Sequence, residues 1–143
     1  MFLFAAVFAC IEFFSCNDSG ENPVPETTVN ISLNINGAQY SALQSPGGFV
    51  YLTGGVAGIF LYRFDSQTFY AYDRYCPCGN GHRPLVYDEK SRCLLHSDTL
   101  RDCNSKYSVL LHGAVISGES KFPLKEYQTV STAGIVRITN GIY

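Results

Sequence analysis

Strict alternation of apolar and polar residues in one segment limits the fold of this chain more than any other sequence feature. In TVNISLNINGAQY, apolar residues occupy every second position of a seven-residue run: Val29, Ile31, Leu33 and Ile35. This is the pattern of a β-strand with one buried face. Asn36-Gly37 follows directly, and this dipeptide favours the positive φ angles of a type I′ hairpin turn. We therefore expect a half-buried strand that ends in a tight hairpin turn.

Further short segments also have the composition of β-strands. They are FVYLT, VAGIFLYR, TFYAYD, PLVYD, RCLLH, KYSVL, LKEYQTV and GIVRIT. Turn-forming Gly, Pro, Asn and Asp residues separate them at short intervals, and the sequence has no long helical period and no internal repeat. Ten Tyr and ten Phe suit a pleated, half-buried surface. These features predict an all-β fold, a small antiparallel β-sandwich or barrel.

Length and charge limit the number of domains and the kinds of partner. A chain of 143 residues, 46% of them hydrophobic, can bury one sizeable core but is short for two. Ten Lys and Arg against twelve Asp and Glu leave a net charge of −2. No basic run is present that could neutralise a phosphate backbone. We expect one folded domain over 29–143 that does not bind nucleic acid.

The N-terminal segment MFLFAAVFACIEFFS predicts export from the cytoplasm. It is almost entirely apolar but too short to span a bilayer core, so 1–15 is interpreted as a signal peptide of the lipoprotein type. A signal peptide usually begins with Lys or Arg, whereas the first basic residue here is Arg63. This difference is consistent with a truncated start.

The segment FFSC, followed by NDSGENPVPETT, resembles the lipobox of bacterial lipoproteins. The small residue Ser15 precedes Cys16, and a polar stretch follows it. The resemblance implies that Cys16 carries a lipid, that 16–28 is a flexible tether, and that the protein is exported to the bacterial cell envelope and anchored in a membrane there. A cleaved secretory signal or a simple hydrophobic anchor is the alternative, and either places the domain outside the cytoplasm.

Cysteines dominate the chemistry of the predicted domain, which contains Cys76, Cys78, Cys93 and Cys103. In an exported protein an even number of cysteines is typical of disulfides, so one interpretation is two bridges. A metal site is the other, because Cys76-Pro-Cys78 and Cys93-Leu-Leu-His96 are closely spaced ligand pairs on two separate loops. Such pairs can hold a two-iron cluster.

At these residues the chain resembles the Rieske [2Fe-2S] domain. In that family Cys-x-His is followed, roughly fifteen or more residues later, by Cys-x-x-His, and the cysteines hold one iron and the histidines the other. FYAYDRYCP is similar to the strand that enters the first cluster loop, and NSKYSVLLHGAVISGESKFPLKEYQTV is similar to the stretch after the second. The resemblance covers about 29–143 and implies a Rieske-like fold with two cluster-type loops.

Matching the ligand spacing of the family gives one candidate set of cluster ligands: Cys76, Cys78, Cys93 and His96. His82, in the same loop as Cys78, is an alternative ligand. Cys78 stands where the family has histidine, and this exchange of a neutral donor for a charged one implies a lower cluster potential, toward that of ordinary ferredoxins. This alignment implies an envelope-anchored carrier of single electrons.

Matching the flanking sequence gives a site without a cluster. NSKY then takes the place of the family's Gly-Ser-x-Phe, which puts Leu100 at the second cysteine position and Cys103 at the second histidine position. In this alignment Cys76 or Cys78 forms a disulfide with Cys103 and no metal is bound, which implies a binding or structural module tied by disulfides.

Neither alignment gives the chain a catalytic role of its own. The sequence has no evident Ser-His-Asp set, close carboxylate pair or phosphate-binding loop. The expected partners in both cases are the membrane, reached through the N-terminal lipid, and an unidentified redox or binding protein.

Overall fold

The computed structural model describes residues 20, 22–78, 83–97 and 103–140. The signal peptide, Cys16, His82 and Leu100 lie outside the described residues, so the roles assigned to them stay predictions. The described part of the chain contains no helix with the length and hydropathy of a membrane span.

The described residues form β-strands and one short helical segment, and the predicted all-β fold is confirmed. The strands are β1 (Asn30–Asn34), β2 (Phe49–Leu52), β3 (Ile59–Arg63), β4 (Phe69–Asp73), β5 (Val86–Asp88), β6 (Cys93–Leu95), β7 (Lys106–Ser108), β8 (Val115–Ser117), β9 (Glu126–Thr132) and β10 (Ile135–Thr139). A 3-10 helix, Ala38–Gln44, connects β1 to β2.

Two antiparallel sheets organise the fold. The larger has six strands in the order β1-β10-β9-β4-β3-β2, and the smaller has four in the order β5-β6-β7-β8. The small sheet is an insert in the larger one, because it lies in sequence between β4 and β9, which pair with each other through Ala71 and Tyr127. Both loops that resemble cluster loops belong to this insert.

Two hydrophobic clusters cover the two faces of the large sheet, and strand β3 shows how. Its residues Ile59 and Leu61 belong to one cluster, which also holds the alternating residues of β1 and β10. The intervening residues Phe60 and Tyr62 belong to the other, in which they meet residues of β6 and β7 from the small sheet. Cys76 and Cys103 are members of this second cluster, so the candidate site lies in the core between the sheets.

The prediction of a type I′ hairpin turn at Asn36-Gly37 is wrong. Gly37 has φ −69°, and the chain continues into the 3-10 helix. The backbone N–H of Asn36 donates to the side-chain oxygen of Asn34 at 3.0 Å, which stabilises a different turn. Strand β1 pairs with the distant β10, in which Val136 faces Leu33. Burial against the far end of the chain thus prevails over the local turn preference.

The end of the predicted tether packs against the domain. Val24 is buried, and the ammonium group of Lys125 donates to the carbonyl of Pro25 at 3.2 Å and to Glu26 at 2.8 Å. Segment 22–28 therefore follows the surface of the domain, although it contains no strand.

Candidate functional site

A buried carboxylate fixes the point at which β4 leads into the first loop. Asp73, the last residue of β4, is completely buried. Its oxygens accept hydrogen bonds from the backbone N–H groups of Val56, Ala57 and Tyr75 at 2.6, 3.1 and 2.8 Å. The hydroxyl of Tyr127 donates a further one at 2.7 Å. Since a buried charge is costly unless it is hydrogen-bonded, this network holds the backbone that precedes Cys76 in one position.

The two ends of the first loop are joined to each other. The backbone N–H of Leu85 donates to the carbonyl of Arg74 at 2.8 Å, and the Arg74 side chain donates back to the carbonyl of Leu85 at 2.7 Å. The guanidinium of Arg74 also lies 4.2 Å from the centre of the Tyr51 ring, which is a favourable cation–π distance. The loop that carries Cys76 and Cys78 is therefore closed at its base.

Strand β6 positions the histidine of the second loop. β6 ends at Leu95 and His96 follows it directly, and the alternation of a strand continued by one residue puts His96 on the same side as Leu94. Leu94 belongs to the core cluster between the sheets, and His96 is buried beside it, with 2% of its surface exposed. The extended backbone thus directs the imidazole toward the cysteines of the first loop.

Four side chains converge in this core: Cys76, Cys78, His96 and Cys103. One donor atom from each lies within 4.8 Å of all the others. The sulfur of Cys76 lies 2.7 Å from that of Cys78 and 3.2 Å from that of Cys103. Three of the four residues predicted from ligand spacing are therefore brought together, and Cys103, predicted from the flanking sequence, completes the group.

Cys78 and Cys103 form a disulfide. The predicted bridge between the two loops is thus confirmed, with Cys78 as the partner in the first loop. The two cysteines are 25 residues apart, and closure of a loop of that length stabilises the folded chain by about 3.5 kcal/mol in the chain-entropy model.

Cys93 lies apart from this group. It points to the opposite face of β6 from Leu94, and its sulfur lies 3.3 Å from the carbonyl oxygen of Ser91. Cys93 and Cys76 are both free thiols. The expectation of two bridges among the four cysteines is therefore wrong, because Cys93 faces away from the free thiol that could have been its partner.

Tyr107 is a residue of the site that the sequence analysis did not identify. Its buried hydroxyl lies 3.2 Å from the sulfur of Cys76. Burial, and then the hydrogen bond to Cys76, raise the pKa of Tyr107, so it stays a neutral phenol that can donate to sulfur. The sequence did contain a signal for it: in NSKY, Tyr107 stands where the Rieske pattern has Phe. A tyrosine at a core position needs a polar partner for its hydroxyl, and that partner could have been sought among the cysteines.

The site reaches the surface at Cys78. Cys78 is half-buried and lines a cleft of about 310 Å³ together with Pro77, Glu119, Lys121 and other residues. Cys76, by contrast, is fully buried. A small reagent can therefore meet the disulfide from the side of Cys78.

The donor set defines what the group can do chemically. Three sulfurs and one imidazole are soft to intermediate ligands of the kind that bind Zn²⁺ or iron. The Cys/His group could therefore hold a metal, but a sulfur in a disulfide is not the thiolate that a metal needs. The bridge and a metal ion bound by all four residues are thus alternatives.

No protein-family model matches the chain, and no curated protein matches it. The likeness to the Rieske domain therefore remains a prediction from the residues quoted above.

Proposed function

We propose that this protein is a Rieske-like lipoprotein of the bacterial cell envelope that binds no [2Fe-2S] cluster and acts as a binding or structural module. The observation that carries the proposal is the disulfide between Cys78 and Cys103. It joins the two loops that would otherwise hold the cluster. A lipid on Cys16 would keep the module at the membrane, where its loops meet a partner protein.

The residues present do not fit a Rieske cluster. Such a cluster takes two cysteines on one iron and two histidines on the other, whereas this group has three cysteines and one histidine. The ligands of two different irons also lie on opposite sides of the cluster. Here all four donor atoms lie within 4.8 Å of one another, which is the size of a site for a single ion.

The surroundings of the site support a structural role for the bridge. Cys103 and Cys76 are buried in the cluster where the two sheets meet, and the first loop is closed separately by Arg74 and Leu85. The bridge attaches the second loop, through Cys103, to the closed first loop. A domain that has such a bridge keeps both loops in place without a metal.

A second candidate function is transfer of single electrons through a [2Fe-2S] cluster with an altered ligand set. Its support is that Cys76, Cys78 and His96 lie together with a third sulfur and that these donors become available when the disulfide is reduced. The donor atoms would have to move apart to admit a second iron, because they now lie within 4.8 Å of one another. Cys93, the fourth ligand predicted from spacing, does not join them.

Anaerobic reconstitution with iron and sulfide distinguishes the two candidates. The full chain is prepared in detergent with Cys10→Ser and Cys16→Ser, so that thiols of the N-terminal segment do not bind iron. Iron, acid-labile sulfide and the visible spectrum are then measured. We expect a colourless, iron-free protein that is folded and becomes less stable on reduction. Two irons and two sulfides per chain, lost in Cys76→Ala, would refute the cluster-free module and establish the electron carrier.

A further inference from the structure

We propose that reduction of the Cys78–Cys103 bridge converts the group into a site for one Zn²⁺ ion, held by Cys76, Cys78, Cys103 and His96. This goes beyond the proposed function, since the bridge can tie the loops whether or not the reduced form takes a metal. The protein would then have two alternative cross-links at the same place, a disulfide under oxidising conditions and a metal ion under reducing conditions.

The four donor atoms lie close enough together to coordinate one tetrahedral ion after small movements. With Zn–S bonds near 2.3 Å and a Zn–N bond near 2.0–2.1 Å, a tetrahedron has S–S edges of about 3.8 Å and S–N edges of about 3.6 Å. The sulfur of Cys76 lies 2.7 and 3.2 Å from its two neighbours, and every pair in the group is within 4.8 Å. Once the bridge is broken, the sulfurs of the other two cysteines have to separate, and Cys76 moves from them by about 1 Å or less.

Cys76 is the residue that a disulfide alone does not explain. A two-cysteine bridge needs no third sulfur, yet this thiol is completely buried and contacts both sulfurs of the bridge. As the third thiolate of a metal site it has a direct role. Three cysteines with one histidine are a common ligand set of structural zinc.

Tyr107 provides the outer-shell support that metal ligands usually have. Its hydroxyl is 3.2 Å from the sulfur of Cys76 and can donate to a thiolate there. Outer-shell hydrogen bonds of this kind orient a ligand and tune the metal. The same contact offsets part of the net negative charge that one Zn²⁺ and three thiolates leave in the core.

Conversion between the two forms needs a dithiol reductant. One of its thiolates attacks the sulfur of Cys78 from the cleft, the S–S bond breaks, and Cys103 leaves as a thiolate. The second thiol of the reductant then attacks the mixed disulfide and releases Cys78. The reductant is oxidised by two electrons to its own disulfide. Zn²⁺ binds the three thiolates and neutral His96, and the thiol protons pass to solvent.

Zinc is favoured over iron for this site. Among divalent first-row metals, a site of nitrogen and sulfur ligands binds Zn²⁺ more tightly than Fe²⁺. Structural Zn²⁺ sites are almost always four-coordinate and tetrahedral, and the d electrons of the ion impose no other geometry.

Metal binding by the oxidised and the reduced chain tests the proposal. The full chain is used in detergent with Cys10→Ser and Cys16→Ser in every sample, and the dithiol is removed anaerobically before metal is added. Co²⁺ serves as the probe, because its charge-transfer and d–d absorption report thiolate ligands and tetrahedral geometry. The affinity for Zn²⁺ is measured by displacement of Co²⁺. Because this experiment and the iron reconstitution use different ions, each can fail without the other.

We expect one Co²⁺ per reduced chain, displaced by one Zn²⁺, and none per oxidised chain. Cys76→Ser keeps the bridge, so its fold can be checked in the oxidised form. After reduction it should bind Zn²⁺ at least about tenfold more weakly, because even the loss of an outer-shell partner costs 10–100-fold. Tyr107→Phe should weaken binding by about tenfold. Cys93→Ser is the matched control, since it removes a buried thiol outside the group, and it should bind like the parent.

Three results would overturn the proposal. The first is a reduced parent that binds no Co²⁺, and the second is an oxidised parent that binds as tightly as the reduced one. The third is equal binding by Cys76→Ser and Cys93→Ser after reduction. The comparison of oxidised with reduced parent involves no substitution in the folded domain, so it decides the matter even if Cys76→Ser fails to fold.

Discussion

Reduction of the Cys78–Cys103 bridge in the presence of a chelator is expected to destabilise the domain. The bridge spans 25 residues of sequence, and opening a loop of this length costs about 3.5 kcal/mol of stability in the chain-entropy model. For a folded unit of this size, 1 kcal/mol corresponds to about 4 °C in Tm. We therefore expect Tm to fall by about 14 °C.

Thermal unfolding followed by circular dichroism measures this shift on oxidised and reduced samples of the same protein. A chelator in both samples removes any stabilisation of the reduced form by metal. Cys93→Ser should show the same difference between its two forms, because its thiol takes no part in the bridge. The double variant Cys78→Ser, Cys103→Ser should unfold near the reduced parent and be insensitive to reductant.

A difference of less than about 4 °C, or 1 kcal/mol, between the oxidised and reduced parent would refute this reasoning. It would mean that the reduced, unfolded chain is already constrained, or that Arg74, Leu85 and the hydrophobic cluster hold the loops without help from the bridge. An equally large shift in the double variant on reduction would show that a different pair of sulfurs is responsible.

Two further predictions concern carboxylates that organise turns. Asp73→Asn should lower the free energy of unfolding, measured by urea denaturation, by about 2–3 kcal/mol. The reason is that the amide NH₂ would oppose the backbone N–H donors that now bind the carboxylate. An unchanged urea midpoint would contradict this role of Asp73. Asp65 accepts hydrogen bonds from the backbone of Gln67 and then Thr68, which lower its pKa below the ordinary 3.8. This contribution to stability is present above the ordinary pKa and is lost as the pH falls through the lowered one. Urea denaturation at a series of pH values should therefore show a difference in stability between the parent and Asp65→Asn that shrinks on acidification. A difference that stays constant with pH would argue against this role of Asp65.

Much of the fold could be predicted from local pattern alone. Alternation and turn residues identified the strands because those signals are short in range. The pairing of β1 with β10 could not be found this way, since it depends on burial against residues about a hundred positions away. The network around Asp73 was missed for the same reason: apart from Tyr75, its hydrogen-bond partners come from a separate turn and from β9.

The candidate site was predicted in part: Cys76, Cys78 and His96 converge, but Cys93 does not join them. RCLLH has the pattern of a strand, and in a strand residues three apart point to opposite faces. Cys93 begins β6 and His96 directly follows its end, and of the two only His96 lies with the cysteines of the first loop. The flanking sequence located Cys103, because NSKY leads into β7, which pairs with β6 through Tyr107 and Leu94.

Because the small sheet is inserted between β4 and β9, sequence changes in its loops can be separated from changes in the large sheet. The insert leaves and rejoins the large sheet at adjacent points, since the backbone N–H of Asp73 donates to the carbonyl of Lys125 at 2.9 Å. Substitutions in the loops of the insert need not disturb the pairing of β4 with β9, whereas those at buried residues of β6 and β7 also affect the cluster that the two sheets share. The large sheet can act as a constant frame on which the chemistry of the two loops is free to diversify.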